Sequence, residues 1–208
     1  GYSTNTIWGV RWAGIDLEDG LDRFYTPAGA IVDRAQIRQM GVQGYQILGN
    51  SLPTIQGGMV NAISWNNIFF SFNIQYNVGA SKLVPTTRFE TGNTLTHSNK
   101  YIDLLSRWQQ QGDITYIPKL STALPLRNSS QYLYDLTFLK LSNVSLGYAL
   151  DDAWTKRNKI PKLSFNVNVT NLFYWFKDKG PIGGNGIREL RFNYPETRNF
   201  SVGIQATL

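Results

Sequence analysis

Four carboxylates crowd one short stretch of the chain: Asp16, Glu18, Asp19 and Asp22. Oxygen ligands at that density suggest calcium, but an EF-hand loop needs glycine at its sixth position and a bidentate glutamate at its twelfth. Counting from Asp16, Gly20 falls fifth and Pro27 twelfth, so the stretch reads as an acidic turn facing the surface or a plug. Gly183-Gly184-Asn185-Gly186 is glycine-rich, yet no Lys-Ser/Thr pair follows to cradle a phosphate, and a loop is expected there. His97 is the only histidine, which excludes a histidine-rich metal centre and leaves a Ser-His-Asp triad without support. Cysteine is absent, so neither disulfides nor thiolate metal sites are available. A glycosidase needs two carboxylates at a set separation, and nothing in the sequence pairs any two of the 14 acidic residues. The expectation is no catalytic constellation, no cofactor and no metal.

The chemistry that remains is hydrogen bonding by uncharged amides and hydroxyls, with aromatic stacking. Ser71, Asn73 and Gln75 alternate with Phe70, Phe72, Ile74 and Tyr76. A side-chain period of two makes Ile68 to Ala80 a strand with one apolar and one polar face. Asn166 and Asn168 alternate with Phe165, Val167 and Val169 in the same way, and Phe200, Val202, Ile204, Ala206 and Leu208 alternate with Ser201, Gly203, Gln205 and Thr207. Leu139 and Leu141 share one phase, while Val144, Leu146, Tyr148 and Leu150 take the other. One extra residue near Ser142 and Asn143, a β-bulge, restores the register. The sequons at Asn143 and Asn168 fall inside these strands and are discounted as glycosylation sites. An apolar face backed by amides is the pattern of a strand between lipid and a water-filled lumen. Ser71, Asn73, Gln75, Asn166 and Asn168 are therefore the expected lumen face.

The elements between these strands follow from turn and cap signals. Asn66-Asn67 offers a tight turn between Thr54–Trp65 and the strand that begins at Ile68. Asp33 to Met40 is a candidate short helix. A second helix is expected over residues 99–111, with Ser98 as cap and Ile102, Leu105 and Trp108 on one stripe. The connections at 66–67 and 151–161 are short, while those at 81–131 and 176–195 are long. Short turns at one rim and long loops at the other mark an outer-membrane barrel. Phe173, Tyr174, Trp175 and Phe176 gather where an interfacial aromatic girdle belongs. The net charge of +6 is scattered. Its tightest cluster, Lys156, Arg157, Lys159 and Lys162, reads as a solvated turn, and no nucleic-acid partner is expected. No apolar run reaches the roughly 20 residues that a spanning helix needs. The sequence opens in mid-pattern and reads as a piece of something larger.

An ordered set of short motifs extends this reading. It comprises Trp12-Ala13-Gly14-Ile15-Asp16 with Gly20, Leu52-Pro53-Thr54 before Gly57-Gly58, and Arg107-Trp108 before Gly112-Asp113 and Ile117-Pro118. It continues through the run from Leu139 to Tyr148, Asn171-Leu172-Phe173 with Trp175, and Tyr194-Pro195 before Phe200. In that order the chain resembles, over nearly its whole length, the C-terminal part of SusC-like (RagA-like) TonB-dependent outer-membrane transporters of Bacteroidetes. The resemblance implies a mainly β fold: antiparallel strands forming the C-terminal portion of a large transmembrane β-barrel, with one short helix in a long extracellular loop. Residues 1–208 would then be one barrel segment, without plug domain or earlier strands. The implied function is import of glycan or peptide fragments, energised through TonB and closed by a SusD-like surface lipoprotein, with outer-membrane lipid around the barrel. Phe200, Val202, Ile204 and Leu208 would form the C-terminal assembly strand. A terminal leucine stands where many such barrels end in an aromatic, which weakens that signal.

Trp108 is the aromatic singled out for ligand or partner contact, by stacking on a sugar face or docking a partner. Its competing and favoured role is to anchor the helix to the loop beneath it. The alternative function from another class is a soluble all-β carbohydrate-binding module. An enzyme domain such as a glycosidase is the third reading.

Overall fold

A computed structural model describes residues 1–84, 102–121, 125–126, 128–178 and 197–207. The expected features at His97, Gly183 to Gly186, Tyr194-Pro195 and Leu208 lie outside the described residues. The chain divides into two compact units. One holds Gly1–Pro53 and the described part of Gly79–Leu136; the other holds Thr54–Val78, Thr137–Lys177 and the described part of Tyr194–Leu208.

The first unit is a set of small sheets around a modest core. Strands β1 (Thr6–Gly9) and β5 (Gln46–Asn50) pair antiparallel, as do β8 (Ser81–Leu83) and β9 (Leu133–Asp135). Strands β2 (Arg11–Ile15), β3 (Asp22–Tyr25) and β4 (Ile31–Asp33) form a three-stranded sheet. Helix α1 (Arg34–Met40) follows at once, because Asp33 and Gln36 make a reciprocal capping box that satisfies donors at its first turn. Its buried Ile37 closes on Val10 and Phe24, with Trp12, Val32, Met40, Tyr45 and Leu126 packed around them.

The helix expected over 99–111 is shorter than its stripe suggests. Within the described residues it is a 3-10 helix at Ile102–Ser106. Trp108 lies beyond its end, in a segment whose backbone bonds to neighbouring loops instead. Trp108 N–H donates to the Ile117 carbonyl at 2.9 Å, and Gly112 N–H to that of Leu17 at 2.9 Å.

The second unit is one antiparallel sheet. Strands β6 (Ile55–Trp65), β7 (Ile68–Val78), β10 (Phe138–Ala149), β11 (Lys162–Phe176) and β12 (Asn199–Thr207) lie side by side in chain order. Each pairs with the next of these five, so the sheet is an up-and-down meander with β6 and β12 at its edges. The β6–β7 turn is the expected Asn66-Asn67, with Asn66 at φ 50°, the left-handed conformation that asparagine tolerates. Asn67 also latches the turn to β10: its side-chain amide donates to the Ala149 carbonyl at 2.8 Å, and Ala149 N–H donates to the Asn67 carbonyl at 2.8 Å.

The bulge expected near Ser142 is present. Opposite β7, Leu141 pairs with Ile74 and Asn143 with Asn73, leaving Ser142 as the inserted residue. Strand β11 adds an insertion that the alternation did not disclose. Leu141 faces Phe173 and Asn143 faces Thr170, so Asn171 and Leu172 stand against Ser142 alone. Asn171 takes φ 55° there.

The connection from β10 to β11, expected as a plain turn, contains helix α2 (Asp152–Arg157). Its signals were in the sequence. Asp151 caps it, accepting from Trp154 N–H at 2.9 Å, with Asp152 in the first turn and Lys156 and Arg157 in the last.

Candidate functional site

The register of the five-stranded sheet sorts its side chains into two faces, row by row. On one face Ile63, Phe70, Leu146, Val167 and Val202 form a row across all five strands. The next row toward the long connections holds Asn61, Phe72, Val144, Val169 and Phe200, and the next Met59, Ile74, Leu141 and Phe173. Aromatics bracket these rows. Trp65, Tyr148 and Phe165 share a row with Ile68 and Ile204 at the short-turn rim. Tyr76 and Trp175 share one with Leu139 at the other rim. The ring of Tyr76 lies over Gly57, where an added Cβ would meet its hydroxyl at 2.7 Å.

Among the described residues nothing covers the large side chains of this face. Phe200, Val202 and Ile204 retain 70%, 75% and 69% of their accessible surface, and Trp65 retains 71%. Soluble monomers ordinarily keep exposed apolar patches to a few hundred Å², whereas exposed apolar side chains occur here on all five strands.

The opposite face is polar in the same registered fashion. Ala62, Ser71, Ser145, Asn168 and Ser201 form one row; Val60, Asn73, Asn143, Thr170 and Asn199 form the next. Of the expected lumen residues, Ser71 and Asn168 therefore flank Ser145, Asn73 lies one row away, and Gln75 one row further beside Lys140. Asn166 lies in the row on the short-turn side, with Phe69 and Gly147, and leans over Gly203, where an added Cβ would meet its Oδ1 at 2.2 Å. Hydrogen bonds tie neighbouring strands together on this face. Ser145 Oγ–H donates to Asn168 Oδ1 at 2.7 Å, and Ser142 Oγ–H donates to the Asn73 carbonyl at 3.1 Å.

Toward the long connections the polar face ends in rings: of the four aromatics expected in a girdle, Phe173 and Trp175 fall on the apolar face, whereas Tyr174 and Phe176 fall here because successive strand residues alternate. Lys140 Nζ lies 4.9 Å from the centre of the Tyr174 ring, Tyr174 stacks on Phe176 at 5.9 Å, and Phe176 tilts against Phe138 at 6.2 Å. The two-residue period of β10 and β11 beyond their bulges was the signal available for them. Beside Phe138 is a shallow cleft of about 630 Å³, floored by Gly58 and flanked by Gln56, Asn73, Gln75 and Asn77. Asn77 Oδ1 is buried there with no partner among the described residues. This face can offer amides, hydroxyls and ring faces to a polar solute.

In the first unit, the acidic turn is neutralised by arginine. Arg23 reaches Asp16 at 2.9 Å and Asp19 at 2.6 Å. The Glu18 backbone N–H and Arg23 hold the Asp16 carboxyl below its ordinary value. Asp22 is buried, pairs with Arg34 and accepts from Trp12 Nε1 at 3.3 Å. Among the described residues no group of three or more potential ligands is placed to hold a metal. Trp108 is half-buried, and its Nε1 has no partner among the described residues. In the second unit, Phe200, Val202 and Ile204 all fall on the apolar face of the edge strand β12.

Similarity to known proteins runs along most of the chain. No family model matches it. TonB-dependent receptor P39 of Formosa agariphila is 30% identical over 172 residues, covering 76% of this chain and 16% of that receptor. TonB-dependent receptor P26 of the same organism is 26% identical over 179 residues, covering 77% of this chain and 18% of the receptor. The chain thus spans less than a fifth of the length of these relatives. The structure of the RagAB peptide transporter matches with a TM-score of 0.78 at 25% identity, covering 99% of this chain and 23% of that one. The RagAB peptide importer in its closed-closed state gives 0.74 at 24% identity, covering 97% and 23%.

Proposed function

Because the chain belongs to the SusC/RagA-like TonB-dependent receptors of the Bacteroidetes outer membrane, we propose that it builds the C-terminal part of the barrel wall of an importer. The observation that carries this reading is a five-stranded sheet with one exposed apolar face and one polar face, which suit different solvents. Lipid takes the apolar face. From Ile68 to Tyr76 the strand runs roughly 26 Å. A tilt near 40° projects that to about 20 Å, close to the apolar band of an outer-membrane barrel. The aromatic rows at Trp65, Tyr148 and Phe165 and at Tyr76 and Trp175 then sit at the two interfaces.

The polar face lines the lumen. Ser71, Asn73, Gln75, Asn166 and Asn168 give solutes hydrogen-bond partners without fixed charge. The cargo is glycan or peptide fragments: the structural relative is a peptide importer, and amides bind sugar hydroxyls equally well. Energy comes through TonB and closure from a SusD-like lipoprotein, as in the family, with β12 as the assembly strand. No catalytic step is assigned. A soluble carbohydrate-binding module would have to bury Trp65, Phe200, Val202 and Ile204, and their exposure weighs against it.

The test is fractionation of cells expressing the full-length receptor, with uptake of labelled oligosaccharides and peptides. Outer-membrane recovery with TonB-dependent uptake is expected. Recovery in the soluble periplasm would overturn the reading.

A further inference from the structure

The basic turn between β10 and β11 has no part in the transport reading, and its structure is more than a solvated loop. Thr155 points inward and is buried, so α2 is held against its sheet. Successive residues of a helix turn by about 100°, which puts Asp152 and Trp154 on opposite flanks of Thr155. Asp152 pairs with Lys162 at 2.8 Å. Lys162 belongs to the polar face, one position before Leu163 on the apolar face. Helical geometry therefore turns Trp154 away from the Asp152–Lys162 pair, at the short-turn rim where Trp65, Tyr148 and Phe165 end the apolar face.

Trp154 and Ile160 are 50% and 37% exposed. Arg157, three positions on, shares the Trp154 flank. Lys159 follows in the left-handed conformation at φ 53°, which turns the chain back toward β11. Among the described residues no hydrogen bond or ion pair engages the side chains of Arg157 or Lys159, whereas Lys162 is already paired.

We propose that this turn binds the phosphate headgroup of an anionic phospholipid, held by Arg157 and Lys159 beside Trp154. Indoles settle at headgroup depth, and a guanidinium donates two parallel hydrogen bonds to phosphate. Charge complementarity and continuity with the apolar face select lipid as the occupant. The site rests on the reading of that face as lipid-facing.

The experiment reconstitutes the full-length receptor in nanodiscs of phosphatidylcholine, with or without phosphatidylglycerol. Native mass spectrometry counts the lipids retained, and the thermal midpoint is followed in parallel. Phosphatidylglycerol is expected to be retained by the wild type and to raise its midpoint. Arg157→Gln with Lys159→Gln should weaken retention roughly tenfold. Arg198→Glu, at the opposite rim, should leave retention unchanged. Wild-type retention by the double variant, or equal loss in Arg198→Glu, would overturn the site. If the double variant does not assemble, Lys159→Gln alone decides by the same criterion: reduced retention supports the site and unchanged retention overturns it. A wild-type receptor that never enters nanodiscs would overturn the lipid-facing reading and this site with it.

Discussion

The indole of Trp108 lies across Gly20 so closely that a Cβ at Gly20 would fall 2.3 Å from the ring. Lys119 completes the arrangement: its backbone N–H donates to the Gly20 carbonyl at 3.0 Å, and its Nζ sits 5.7 Å from the ring centre. Gly20 also has φ +69°, where a side chain is strained regardless of space. The packing gives Trp108 an anchoring role within its own unit, while its half-exposure leaves part of the ring open to contact.

Gly20→Ala should therefore cost roughly 2–3 kcal/mol, from overpacking and backbone strain together. Trp108→Ala should cost about 2 kcal/mol, since only part of the ring is buried. Urea unfolding of the full-length receptor measures both. Uptake and heat-modifiable assembly should be followed for Trp108→Ala: lost uptake with normal assembly marks a contact residue, lost assembly an anchor.

The two faces of β7 should respond oppositely to charge. Phe72 stands between Asn61 and Val144, and Asn73 between Val60 and Asn143 on the other side. Phe72→Arg should cost roughly 2–4 kcal/mol near the bilayer midplane, and Asn73→Arg little. Equal folding yields for the two variants would contradict this orientation.

Asn171 should resist substitution for conformational reasons. At φ 55° it holds the β11 insertion, its side-chain amide donates to the Thr197 carbonyl at 3.0 Å, and its Oδ1 accepts from Tyr174 at 3.0 Å. Asn171→Val should lose about 2 kcal/mol or more, combining left-handed strain with the lost bonds. Asn171→Gly keeps the conformation and should lose less. A valine variant as stable as the glycine variant would remove conformation as the cause.

Acid should weaken the turn at Asp16. Its folded-state value lies below the ordinary 3.8, first through the Glu18 N–H and then through Arg23. A depressed carboxylate contributes stability that is present above its unfolded value and lost as pH falls through the folded one. Asp16→Asn should therefore narrow its stability gap from wild type below about pH 4. Titrated unfolding at low salt would show it; a gap that widens with acid would reverse the sign.

Alternation, the β10 bulge, the Asn66-Asn67 turn and helix α1 were legible in the sequence, because each depends on backbone geometry within a few residues. Phe72 and Asn73 must face opposite ways in any strand, whatever lies beside it. What the sequence could not disclose was which residues meet across long separations. The rows that align Phe70 with Leu146 and Val167 exist only once β7 pairs with β10 across the long connection. The β11 insertion at Asn171 is defined only against its partner strand. Arg34 became the counterion of Asp22 only when α1 brought it there. Trp108 shows the same division: its spacing suggested a helical stripe, but the helix ends at Ser106 and the ring's place over Gly20 follows from packing between distant segments. A repeat of two is a property of one strand, whereas a row, an ion pair or a ring over a glycine needs tertiary structure to bring separate segments together.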